Sequence, residues 1–582
     1  VKPLISRRAV PQTHHLSATL PALLQRVLSA RAVTSDADII LSFNTLLAPQ
    51  LLNGINAAVA LLIQQLDRQG RVLIVSDFDA DGATSCALAL RALRAMGFKN
   101  VDYIVPNRFE YGYGLTPEIV ELAKGKRPDL LLTVDNGISS IEGVAAAQAS
   151  GMKVLITDHH LQGRELPAAD AIVNPNQHAC DFPSKALAGV GVVFYVLAAL
   201  RSALRERHWF SENAITEPNL ANYLDLVALG TVADVVPLDR NNRILVNEGL
   251  KRIRAGRACA GIMALLSIGK RDPATLVASD LGFAVGPRLN AAGRLDDMSL
   301  GIECLLCDDP KQALEMAQAL DGMNQQRKTI ETDMRTQAMA TLETLSLDEA
   351  QMPAGLCIYN ADWHQGVIGI LAARIKERYH RPVIAFADAG VEGDGSEELK
   401  GSARSIPGLH IRDVLDTVAT QNPGLISRFG GHAMAAGLSL RKEDYPSFKV
   451  AFADAVASQL GEEDLQARIV TDGALGADEL TLANAQLLRQ YGPWGQHFPE
   501  PSFDGEFLIA QYRVLGGAHL KLVLCPVDDK QCLLDAIAFN VETEQWANCN
   551  NWRVRVVYRL DVNEFRGQRN LQLMIEHIER CE

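Results

Sequence analysis

The segment Ser76-Asp77-Phe78-Asp79-Ala80-Asp81-Gly82 carries three carboxylates at alternate positions. Bare acids this close repel one another, and a bound cation is the economical way to keep them together. Glycine-rich phosphate loops work through backbone N–H groups and tolerate acids poorly, so without metal this loop repels phosphate. Three further segments carry ligands of the same kind: Asp135-Asn136-Gly137, Asp158-His159-His160 and Asp234. Oxygen donors with one or two imidazoles suit Mn or Mg better than the thiolate-rich sets that hold zinc. The chemistry within reach of these residues is that of a divalent cation.

The surrounding pattern places each segment at the end of an element. Residues 71–75 form a short β-branched run directly before the acidic loop, residues 83–96 read as a helix, and residues 101–105 as the next strand. The alternation continues through residues 130–134, 141–149 and 154–157, so Asp135 and Asp158 each follow a strand. Asp234 ends a helix that starts at Asp225. Buried strands alternating with helices predict a parallel sheet covered on both faces, with its ligand crevice at the carboxyl ends of the strands. Upstream, residues 16–66 have helical periodicity punctuated by Pro21, Pro49 and Gly54. Pro310 opens a long helix to about Leu345 that would connect two lobes. A second α/β unit follows to about Leu460, and short alternating strands after Ala467 predict a small barrel. Cys304 and Cys307 lie in an apolar helical context and read as core.

The chain has 582 residues, 48% hydrophobic and 21% charged, which is globular composition and excludes a disordered, collagen-like or coiled-coil protein. At roughly 150 residues per domain, about four units are expected. No uncharged apolar run reaches the ~18 residues of a membrane span, no signal-peptide pattern opens the sequence, and a cytoplasmic protein with reduced thiols is expected. The net charge of −13 taken alone argues against a polyanionic partner. Residues 240–294, however, hold ten Lys or Arg against three acids, a basic island of +7. Net charge therefore describes the whole surface and not the path of a substrate.

The four acidic segments resemble the motifs of the DHH phosphoesterase superfamily, and within it the bacterial single-strand-specific exonucleases. The resemblance runs from about residue 45 to the C-terminus. It includes Pro287-Arg288-Leu289-Asn290-Ala291-Ala292-Gly293-Arg294, Trp363-His364-Gln365-Gly366-Val367-Ile368-Gly369, Gly401-Ser402-Ala403-Arg404-Ser405 and Gly430-Gly431-His432. It implies two divalent metal ions, Mn or Mg, with Asp135 bridging them. Asp77 and Asp79 would serve one ion, Asp81, His159 and Asp234 the other, and His160 would face the phosphate. The pyrophosphatase branch has a metal-binding His four residues before the Asp79 position, where this chain has Val75, and Asp77 is expected to compensate. Asn136, Arg288, Ser402, Arg404, Gly430, Gly431 and His432 match substrate-contacting positions, and Arg108 is a candidate for the 5′ phosphate. Arg offers planar bidentate pairing to phosphate, which favours Arg288 and Arg404 over nearby lysines.

The fold expected is α/β multidomain: an N-terminal segment (1–45), a parallel-sheet DHH core (46–239), a basic connector with the long helix (240–350), a DHH-associated α/β domain (351–464) and an OB-like barrel (465–582). The barrel strands interleave Phe507, Tyr512, Phe539, Tyr558 and Phe565 with Arg513, Lys521, Arg553, Arg555, Arg559, Arg566 and Arg569, a pattern that suits stacked bases and a tracked backbone. The two lobes would leave a channel too narrow for duplex. The function implied is metal-dependent 5′ to 3′ hydrolysis of single-stranded DNA to mononucleotides in recombination, recombinational repair and mismatch repair. Single-stranded DNA-binding protein and a helicase are expected partners, and the chain is expected to be a monomer. A small-molecule or oligonucleotide phosphodiesterase of the superfamily would not need the barrel, and a non-catalytic single-stranded-DNA-binding relative would have lost ligands that are all present here.

Overall fold

The computed structural model describes residues 3–11, 16–107, 114–344, 352–391, 397–431, 434–461, 463–565 and 567–581. They form two compact units. The larger takes Ile5–Asn290, Met298–Ala317 and Val470–Glu582, and the smaller is built mainly on Gln318–Ile469 with Ala291–Asp297.

The larger unit is organised by a five-stranded parallel sheet. Its strands are β1 (Val72–Ser76), β2 (Val101–Ile104), β3 (Leu130–Val134), β4 (Lys153–Thr157) and β5 (Ala171–Val173), in the order β2-β1-β3-β4-β5. Every residue of β1 and β3 is buried, as continuous runs of Val, Leu and Ile require of strands covered on both faces. The strand order reverses between β1 and β3, so the loops leaving their carboxyl ends flank the crevice where doubly wound sheets bind ligands. Helix α1 (Ala80–Ala95) starts three residues before the expected position because Asp79 caps it. It is rich in Ala and Leu, is buried over most of its length, and packs against α2 (Gly189–Glu206) and α3 (Leu224–Ala233). Helix α4 (Arg240–Arg254) follows, and a π-helical turn at Leu281–Val285 leads into α5 (Gly286–Leu295). Upstream, the helical pattern of residues 16–66 is broken into Ala22–Ser29, Asp36–Ile39 and Ile55–Arg68.

The predicted long helix is α6 (Pro310–Thr344). In the smaller unit it lies beside a mixed sheet of β6 (Leu356–Tyr359), β7 (Val383–Val391), β8 (Glu397–Arg404), β9 (Arg428–Gly431) and β10 (Ala435–Arg441), ordered β9-β10-β8-β7-β6. Only β6 and β7 are parallel. One core holds Phe386, Phe448 and Phe452, and another joins Met334 and Ala338 of α6 to Trp363 and Leu371.

The C-terminal strands β11 (Phe503–Leu515), β12 (His519–Pro526), β13 (Leu534–Ala538), β14 (Arg553–Phe565) and β15 (Gln568–Arg580) close into a barrel. The N-terminal segment is fastened to this unit by ion pairs. Arg7 donates to both oxygens of Asp504 at 3.1 and 2.9 Å, and buried Arg31 donates to both oxygens of Asp472 at 2.8 Å. Among the described residues no single helix is long and apolar enough to cross a membrane.

Candidate metal centre

Asp79 caps α1 by accepting hydrogen bonds from the amides of Asp81 (2.9 Å) and Gly82 (3.0 Å). Gly82 is required there, because a Cβ would collide with the Asp77 carbonyl. The amide of Ala80 donates to Asn290 Oδ1 at 2.7 Å, pinning the acidic loop from α5. Asp81 is fully buried, and its two oxygens accept from the Gly189 (2.6 Å) and Val190 (2.9 Å) amides at the start of α2. The carboxylate thus lies against the positive end of a helix.

Asp135 follows β3 in the left-handed region at φ 65°, a strained conformation for a residue with a side chain, and is 1% exposed. His159 follows β4, with Nε2 at 3.1 Å from Asp135 Oδ1 and 3.5 Å from Asp234 Oδ2. Three groups of ligand atoms each fall within 4.8 Å: Asp77, Asp79 and Asp135; Asp81, His159 and Asp234; and Asp135, His159 and His160. Asp135 therefore stands beside both of the other acidic groups. Two glycines allow this crowding. A Cβ on Gly189 would lie 2.6 Å from Asp135 Cβ and Oδ1, and one on Gly230 would collide with Thr84 and approach Asp81 Oδ1 to 2.8 Å.

The electrostatics are those of a cation site. Burial, then the neighbouring Asp234, pushes Asp81 up to about 7; burial, then Asp79, pushes Asp234 up to about 8; and burial with Asp81 raises Asp135 well above the carboxylate range. The His159 Nε2 is buried, makes no hydrogen bond among the described residues, and faces two carboxylates. Mutually repelling carboxylates around an imidazole nitrogen fit a divalent cation.

Asp158 does a different job from its neighbours. It accepts from the amides of Ile138, His159 and His160 and pairs with His160 Nδ1 at 2.7 Å. Burial alone would raise its pKa, but the His160 charge holds it at about 2; burial would likewise lower His160, but Asp158 raises it to about 9. Asn136 is a strand clasp. Its side-chain N–H groups donate to the Val75 and Val134 carbonyls at 3.1 and 3.0 Å, and it is 1% exposed, so both donors expected for substrate are already used.

In the smaller unit, Arg404 Nη1 donates to Ser402 Oγ at 3.1 Å, and a Cβ on Gly369 would lie 2.7 Å from Arg404 Nη2 and 2.8 Å from Ser402 Oγ. Both side chains lie against the first turn of α7 (Ile368–Tyr379), where a helix N-terminus favours anions. Gly430 pairs with Gly437, which pairs with Ser402, leaving a strip without side chains beside them. Gly431, at φ 143°, backs closely onto Ala436. Arg108 and His432 lie outside the described residues.

The DHH family N-terminal domain model matches residues 71–231, the DHHA1 domain 353–458 and the RecJ OB domain 471–577. Single-stranded-DNA-specific exonuclease RecJ of Dickeya dadantii is 55% identical over 99% of this chain and 98% of its own, and that of Escherichia coli is 53% identical over the same shares. The chain belongs to the RecJ family. The crystal structure of Thermus thermophilus RecJ in complex with Mn2+ matches 98% of this chain and 80% of its own with a TM-score of 0.76 at 27% identity. An exonuclease RecJ bound to manganese matches 72% of this chain and all of its own, with a TM-score of 0.58 at 32% identity.

The fold of this RecJ-family chain corrects the reading of its cations. The basic island is largely spent internally: Arg243 is buried with its guanidinium 3.9 Å from the Phe498 ring, Arg252 pairs with Asp225, Arg271 with Asp280 and Lys251 with Glu248. Arg288 donates to the Ala284 carbonyl in its own helical run. In the barrel, Phe507 and Tyr558 are core, and Arg553, Arg559 and Arg569 pair with Glu506, Glu500 and Glu564. Phe539 remains 48% exposed, and Arg566 lies outside the described residues. Sequence reading missed Gly189, Val190, Gly230 and Asn290 as positioning residues. Asn290 lies within the segment Pro287–Arg294, and its place two residues after Arg288 was the only signal.

Proposed function

We propose that this chain hydrolyses single-stranded DNA from the 5′ end and releases mononucleotides, serving recombination, recombinational repair and mismatch repair. The observation that carries this reading is the convergence of metal-type ligands on Asp135 at the β1/β3 switch point, in a chain of the RecJ family. We assign Asp77 and Asp79 to one divalent cation, Asp81, His159 and Asp234 to a second, and Asp135 to both. Mn2+ or Mg2+ suits these donors. When bound, such a pair generates hydroxide at neutral pH and stabilises the attacking and leaving oxygens of an in-line displacement.

The chain's own residues supply position and charge. The Gly189 and Val190 amides fix Asp81, Asn290 fixes the acidic loop through the Ala80 amide, and Gly189 admits Asp135. Asp158 keeps the His160 ring oriented and raises its proton affinity, which favours donation to charge that develops on the phosphate. Ser402, Arg404 and the α7 N-terminus are assigned to a strand phosphate, with Gly430 and Gly431 alongside; by motif position His432 is assigned to the same substrate, Arg288 to the backbone and Arg108 to the 5′ phosphate. Single-stranded DNA-binding protein and a helicase are the partners we infer, with a monomer acting in the cytoplasm.

A competition among a 5′-labelled single strand, a 3′-labelled single strand, blunt duplex and a dinucleotide in Mn2+ tests this reading. Labelled mononucleotide from the 5′-labelled strand at early times is expected. Equal cleavage of duplex, or early release of the 3′ label, would overturn it.

A further inference from the structure

Phe283 sits in the π-helical turn Leu281–Val285 and is 83% exposed, more than any other large apolar side chain among the described residues. π-Helical turns are rare and recur at functional sites. The turn packs flush on α3: a Cβ on Gly282 would be 3.3 Å from Val232 Cγ1, and one on Gly286 would be 3.2 Å from Ala233 Cβ. Val235, the residue after Asp234, is in the left-handed region at φ 62° and 62% exposed. Phe283 and Val235 line a cavity of about 380 Å³ whose other walls include Trp494, Arg254 and Arg489.

The two arginines are held from one segment. Arg254 Nε donates to the Leu276 carbonyl at 2.8 Å and Arg489 Nη2 to the Thr275 carbonyl at 3.0 Å. Neither forms an ion pair among the described residues, whereas Lys251, Arg252 and Arg271 of the basic island do. Burial, and then the charge of Arg489, lowers the Arg254 pKa, while the one carboxylate of the cavity wall, Glu500, is paired with Arg559. The cavity thus joins an exposed aromatic face to a pair of guanidiniums, which is the complement of a base and its phosphate. It is also close to the metal centre. Phe283 lies seven residues before Asn290, the partner of the Ala80 amide, which is about 10 Å along a helix. That distance is about three stacked nucleotides.

We propose that this cavity is a nucleotide subsite in which Phe283 stacks on a base of the single strand while Arg254 and Arg489 hold the adjoining phosphate. The subsite grips the strand a few nucleotides from the scissile bond. It rests on the single-strand hydrolysis proposed above, and it gives that reaction a contact that depends on the presence of a base.

The test uses the full chain and oligonucleotides with a single abasic nucleotide stepped through positions 1–6 from the cut end. In the wild type, an abasic nucleotide at one position raises KM about tenfold, the scale of a lost base–aromatic stack. Phe283→Ala raises KM by a similar factor on the intact strand, abasic substitution at that position then adds nothing, and Phe283→Trp restores the dependence. Arg489→Gln lowers the slope of log KM against log salt by about 0.7, the loss of one phosphate contact on a single strand. A strand whose KM is indifferent to every abasic position, or an abasic penalty unchanged in Phe283→Ala, overturns the subsite while hydrolysis stands. Absence of single-strand hydrolysis in the wild type overturns the functional reading instead.

Discussion

Gly189→Ala adds one methyl group at the start of α2 and nothing else. The new Cβ lies 2.6 Å from both Asp135 Cβ and Oδ1, where ordinary contacts begin at 3.4 Å, so about 0.8 Å must be absorbed. Asp135 is held on a strained backbone with its amide on the Thr157 carbonyl at 3.0 Å, and its carboxylate has little room to retreat. A misplacement of ~1 Å at a reacting centre costs on the order of 100-fold in rate. The fold should tolerate the change: Ala exceeds Gly in helix propensity by about 1 kcal/mol, which partly offsets an overpacking cost of about 1–3 kcal/mol. The backbone donor to Asp81 is retained. We therefore expect kcat on a 5′-labelled single strand to fall about 100-fold and the Mn2+ concentration for half-maximal rate to rise, with cooperative thermal unfolding preserved. Rate and Mn2+ dependence within twofold of wild type would refute the placement of Asp135 as a shared ligand.

Asn290→Ala leaves the buried Ala80 amide without its acceptor, a cost of about 1–3 kcal/mol, and should weaken Mn2+ dependence more than single-strand binding, as read by titrating both. In metal-free protein, Asp81 and Asp234 titrate near 7 and 8, above the ~3.9 of an unfolded Asp. The folded state then holds more protons than the unfolded one between pH 4 and 8, so its melting temperature should fall as pH rises through that window. Saturating Mn2+ should abolish the fall, which paired melting curves with chelator and with Mn2+ would show. Arg31→Ala removes two 2.8 Å bonds to the buried Asp472 carboxylate, leaving it Arg8 at 3.5 Å and the Ser502 amide at 3.1 Å, and should cost about 1.5–3 kcal/mol in denaturant unfolding, because the N-terminal segment is fastened largely through that pair.

The acidic centre was legible because parallel sheets put their ligands at strand ends, and each end is marked locally by a hydrophobic run giving way to Asp. The same local logic found α6 and the barrel strands. What escaped notice depends on contacts across long stretches of chain. The Gly189 and Val190 amides reach Asp81 across 108 and 109 residues, and Asn290 reaches Ala80 across 210. No spacing rule reports such pairs. The basic island misled because net charge does not show which cations are already held, whether by groups distant in sequence, such as Asp225 and the Phe498 ring, or by groups inside the island, such as Asp280 and the Leu276 carbonyl. Asn136 shows the limit of motif position, since its place beside Asp135 is explained by two strand carbonyls that need donors.

The two-cation assignment meets its most direct test in the number of Mn2+ ions bound by the metal-stripped chain, measured by calorimetry beside the single-strand hydrolysis rate. Two Mn2+ per chain in the wild type, with both binding and hydrolysis lost in Asp135→Ala, is the expected result. Undiminished hydrolysis by Asp135→Ala, or a wild-type chain saturated by one ion at full rate, would contradict it.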